Sequence, residues 1–114
     1  MVVPREETQE KIDRLTAATL RHTPSQAYTV ADRIEECARA HGDRTFIYYD
    51  DRTLSYADFN RTANLVAWMA MEEGVERGDV VALMMENRPE FISTWAGLAK
   101  IGAVSALINT NVRG

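Results

Sequence analysis

A single cysteine, three prolines and six scattered glycines in 114 residues leave several classes of protein without material. One thiol, Cys37, cannot form an internal disulfide, so a stapled extracellular scaffold is excluded and a reducing, cytoplasmic setting is the expectation. The glycines stand at 42, 74, 78, 97, 102 and 114, so neither G-x-x-x-x-G-K-[ST] nor G-x-G-x-x-G is written and no phosphate cradle is expected. Cysteine pairs, H-x-x-x-H or comparable metal spacing, and a G-x-S-x-G elbow are also missing, and nothing in the placement of Ser, His and Asp suggests a triad. Apolar runs are broken by Glu86, Lys100 or Asn109 well short of bilayer-spanning length, and the N-terminus lacks a signal-peptide core. The net charge is -4 and no basic stripe occurs, which argues against nucleic acid as a partner.

What is present reads as one α/β unit, or part of one. Residues Arg5 to Arg21 are rich in Glu, Gln, Lys and Arg, with Ile12, Leu15, Thr19 and Leu20 at rough helical spacing, predicting a helix with a narrow apolar stripe. It should lie on the surface of the main body or on a partner. After the break at 22–26, Thr29 and Asp32 form a capping-box pattern, and Val30, Ile34, Cys37, Ala38 and His41 share a face up to Gly42. Cys37 reads as a packed core thiol rather than a nucleophile, because such a nucleophile needs an electropositive, accessible setting and a base. His41 reads as a helix C-terminal residue suited to the dipole.

Thr45 to Tyr49 and Arg52 to Leu54 predict a short hairpin, with Asp50-Asp51 as its turn rather than a metal site. Ser55 and Asp58 open a helix running to Glu73 and stopped by Gly74. Phe59, Ala63, Val66 and Ala70 give it one apolar face that Leu65 and Met69 widen, predicting burial on more than one side. Trp68 and Met71 are read as packing material rather than a ligand pocket.

Val80 to Met85 is an unbroken apolar run suited to a strand covered on both faces. Asn87 is the expected N-cap of the next helix, with Pro89 in its first turn and Glu90 as capping-box partner. The apolar face expected there is Phe91, Ile92, Trp95, Leu98, Ala99 and Gly102, while Ala96 and Gly97 would admit a close neighbour. Gly102 stops the helix, and Ala103 to Ile108 predicts a second strand parallel to the first. Just past it, Asn109, Asn111 and Arg113 lie where α/β folds often place ligand contacts, although polar loop residues more often satisfy turns.

The segments T-L-S-Y-A-D-F-N-R-T-A-N (53–64), G-V-E-R-G-D-V-V-A-L-M-M-E-N-R-P-E-F (74–91) and G-L-A-K-I-G-A-V-S-A-L-I-N-T-N-V-R (97–113) resemble the opening of the adenylate-forming (AMP-binding) acyl-CoA synthetases. The closing L-I-N-T-N-V-R is similar to the fatty acid transport protein and very-long-chain acyl-CoA synthetase branch. The resemblance covers roughly residues 29–114 and implies that they are the incomplete start of the AMP-binding large domain, a partial parallel sheet flanked by helices plus a short hairpin; residues 1–28 read as an N-terminal helix and linker before it. It implies an ATP-dependent fatty acyl-CoA synthetase using ATP, Mg²⁺ and CoA on a fatty acid, cytoplasmic, with membrane association open to the full-length form. The family's phosphate loop, Mg²⁺ motif and catalytic lysine have no counterpart here, so no catalytic, cofactor-binding or metal residue is assigned. Two other classes remain: a stand-alone interaction module self-associating through an exposed sheet edge or apolar face, and a small acyl-binding protein using Trp68 and Trp95.

Overall fold

The computed structural model describes residues 4–114; the first three residues of the expected 1–28 segment lie outside them. Element order is α1 (Arg5–Thr19), α2 (Val30–His41), β1 (Thr45–Tyr49), β2 (Arg52–Ser55), α3 (Tyr56–Glu72), β3 (Val80–Met84), α4 (Pro89–Lys100) and β4 (Val104–Ile108).

Local chemistry places two helix starts. The Thr29 hydroxyl accepts the Asp32 N–H at 3.3 Å while the Asp32 carboxylate accepts the Thr29 N–H at 2.7 Å. Ser55 and Asp58 repeat the exchange at 3.1 and 3.4 Å. Each box satisfies donors that the first helical turn leaves without intrahelical partners. The β1–β2 hairpin is antiparallel, irregular between Thr45 and Ile47, and turns through Asp50 at φ 50°, a conformation Asp tolerates better than most residues. β3 and β4 form a separate parallel pair in continuous register from Val80↔Val104 to Met84↔Ile108.

The core lies where α3 meets α4. Phe59, Ala63 and Ala96 form its centre, with Ile34, Ile47 and Trp95 packed around it. Gly97 permits the approach: a Cβ there would stand 2.6 Å from the Ala63 carbonyl oxygen and 2.7 Å from Val66 Cβ. Buried Ser93 donates its hydroxyl to the Pro89 carbonyl at 2.9 Å, so its polar atom adds no unpaired group to the contact.

Several expectations are corrected. The most buried residues of α4 are Pro89, Ser93, Ala96, Gly97 and Leu98, whereas Ile92 is exposed. Close helix packing selects small residues, so a stripe chosen for hydrophobicity alone is rotated from the true contact. α3 is packed by α4, α2 and the hairpin but keeps one open face, with Leu65, Trp68, Met69 and Met71 exposed. β3 is likewise not sandwiched: Val81 and Leu83 turn inward, Val80 and Met84 outward. Arg88, not Asn87, precedes the first turn of α4, without a side-chain cap; Pro89 supplies the preset φ instead. Gly42 has φ -48°, so it is no left-handed stop; a Cβ there would meet the Ala38 carbonyl oxygen at 2.8 Å. Cys37 is half-buried rather than core. Gly74 and Gly102, by contrast, do take positive φ just past α3 and α4.

Candidate functional site

The strand pair positions one concave region. Beyond the carboxyl ends of β3 and β4, Met85, Glu86, Asn87, Phe91 and residues 107–111 line an open cleft of about 640 Å³. Cleft formation at this end follows from parallel pairing, because both strands deliver their following loops to the same side. Asn109 and Asn111 reach it, but Arg113 does not line it. Asn109 is engaged locally, its side-chain oxygen accepting the Asn111 N–H at 2.9 Å while its carbonyl accepts the Val112 N–H at 3.3 Å. That is turn chemistry, and it consumes part of the capacity a ligand would use.

The adjoining N-terminus of α4 is already supplied with an anion. The Glu90 carboxylate accepts from Arg88 Nε at 2.8 Å and from an Arg52 amino group at 3.1 Å. Arg52 also lies 5.8 Å from the centroid of the Tyr49 ring, so one side chain ties the hairpin to the helix start. The Arg88 hydrogen bond, helped by the backbone N–H of Glu90 and by Arg52, lowers the Glu90 pKa to about 2. A phosphate brought here would meet the fixed charge of Glu90, with Glu86 in the cleft wall, and find no glycine allowing approach to the backbone. The lining does not fit a nucleotide phosphate, and beside the Glu86 carboxylate the cleft offers amide contacts and an apolar rim from Phe91 and Leu107.

The other candidate residues do not converge. Cys37 is half-buried and His41 exposed, facing the Tyr56 ring at 6.4 Å, and no hydrogen bond joins the two among the described residues. Asp50 and Asp51 sit in the hairpin turn, and no group of three or more His, Cys, Asp or Glu residues able to hold a metal is found among the described residues. Trp68 and Met71 line a groove with Asp32, Glu35 and Lys100, whereas Trp95 packs on the core. The two tryptophans therefore share no pocket.

Two polar ties escaped the sequence reading, Arg52–Glu90 and Glu35–Lys100. The Lys100 side chain is only 10% exposed, and its ammonium pairs with Glu35, which also accepts from Asn60 Nδ2 at 3.3 Å. The Lys100 hydrogen bond holds the Glu35 carboxyl below its ordinary pKa. This triad joins α2, α3 and α4. Its one visible signal is a lysine directly after the apolar run Trp95 to Ala99.

Comparison with known proteins gives a consistent picture. The family described as AMP-binding enzyme matches residues 34–114. Long-chain fatty acid transport protein 6 of Mus musculus is 38% identical over 86 residues, covering 75% of this chain and 14% of that protein. Medium/long-chain-fatty-acid–CoA ligase FadD6 of Mycobacterium tuberculosis is 33% identical over 91 residues, covering 80% of this chain and 15% of that one. Among solved structures, Klebsiella oxytoca NpsA in complex with 3-hydroxyanthranilyl-AMSN superposes with a TM-score of 0.73 at 29% identity, covering 76% of this chain and 18% of that one. The chain thus spans roughly a seventh of the length of the curated relatives it matches.

Proposed function

The chain belongs to the AMP-binding enzyme family, and from that membership we propose that it forms the N-terminal part of an ATP-dependent fatty acyl-CoA synthetase. The complete enzyme would convert a fatty acid, ATP and CoA to acyl-CoA, AMP and pyrophosphate. The observation that carries this reading is the match of residues 34–114 to the family together with relatives named for long-chain fatty acids. ATP, Mg²⁺ and CoA would be held by later segments of the longer enzyme, since the family's phosphate loop, Mg²⁺ motif and catalytic lysine have no counterpart in these residues. Residues 29–114 would begin the AMP-binding domain, with 1–28 as a helix and linker before it. Their role is architectural: a strand pair backed by α4, whose uncovered face and edges receive later segments. No helix among the described residues is long and apolar enough to cross a membrane; cytoplasmic residence, with membrane association in the longer form, is part of the proposal.

Acid-dependent exchange between ATP and pyrophosphate tests it. The 114-residue chain should give none. A fatty-acid–CoA ligase whose matching segment is replaced by residues 29–114 should retain exchange. Exchange by the short chain alone, or a folded but inactive chimera, would overturn the reading.

One observation favours a second reading as an interaction module. The outward side chains Val80, Met84, Val104 and Ile108 are exposed on one face of the strand pair, and an uncovered apolar face recruits partners.

A further inference from the structure

We draw no further inference here: the strongest candidate, the groove that Trp68 and Met71 line with Asp32, Glu35 and Lys100 between α2, α3 and the end of α4, carries nothing, because its nearly buried Lys100 ammonium is already paired with Glu35 and nothing in the structure shows what covers its apolar wall.

Discussion

Replacing Gly97 with alanine sets two effects of known sign against each other. Gly97 lies inside α4, where alanine favours the helix by about 1 kcal/mol on propensity alone. The new Cβ, however, would sit 2.6 Å from the Ala63 carbonyl oxygen and 2.7 and 2.8 Å from Val66 Cβ and Cγ1, where ordinary contact begins at 3.4 Å. The nearest obstacle is backbone, so no rotamer change relieves it; α3 and α4 must separate locally by about 0.8 Å. A gap of that size forfeits a quarter to a half of the dispersion well for atoms facing it, and overpacking of this kind costs about 1–3 kcal/mol. At the upper part of that range the clash outweighs the propensity gain, leaving Gly97→Ala less stable by about 1–2 kcal/mol. Urea unfolding should show a lower midpoint with unchanged slope, and the melting temperature should fall by about 4–8 °C per kcal/mol for a domain of this size. Val66→Ala should not rescue it, because the Ala63 carbonyl remains. A midpoint equal to or above that of the wild type would refute the view that close helix approach organises this core.

The Glu90 cluster predicts acid sensitivity: its folded pKa, about 2, lies below the unfolded value near 4, so its contribution is present above pH 4 and is lost as pH falls from about 4 toward 2. Stability measured against pH should therefore fall less steeply in that window for Glu90→Gln than for wild type, and added salt should shrink the difference because the groups are exposed. In the α2–α3–α4 triad, Glu35→Ala should destabilise by about 1–3 kcal/mol in thermal unfolding, since it strands the nearly buried Lys100 ammonium. Lys100→Met should cost less than Glu35→Ala, because it leaves a half-exposed carboxylate that water can solvate; the reverse order would count against the triad.

Legibility in the sequence followed the range of the interaction. Both capping boxes, the Asp50 turn, the Gly74 and Gly102 stops and the strand–helix–strand order could be read because each depends on neighbours a few residues away. The family resemblance was legible for a related reason, its motifs being contiguous words in fixed order. The orientation of α4 was legible in part: Ala96 and Gly97 read as admitting a close neighbour and do so, but hydrophobicity marked the exposed Ile92 and gave no sign of buried Ser93. Expected burial of β3 on both faces failed, and the outward residues of α3 stay open, because periodicity records that a surface is apolar, not whether this chain contains its cover. The Arg52–Glu90 and Glu35–Lys100 ties span 38 and 65 residues, so no local pattern announces them. The first tie also bears on the turn before α4: Glu90 and its neighbour Arg88 stand in one local segment, but Arg52, which completes the pairing, does not.

The β3–β4 ladder also carries a kinetic consequence. In a hairpin each successive pair encloses a longer loop, but in this parallel pair every partner, from Val80↔Val104 to Met84↔Ile108, is separated by the same 24 residues (104 minus 80). Loop-closure entropy is therefore spent almost entirely on the first contact, after which the remaining pairs add without enlarging the loop. The base of the ladder is suited to that first contact: the Gly78 N–H reaches the Gly102 carbonyl at 2.9 Å, and the Val104 N–H reaches the Asp79 carbonyl at 2.7 Å. With α4 filling the loop and shortening the distance between its ends, the segment from Gly78 to Ile108 has the form of a folding nucleus that closes at its foot and zips upward. Gly78 and Gly102 would then govern how quickly the chain folds, and Gly102 also where α4 stops.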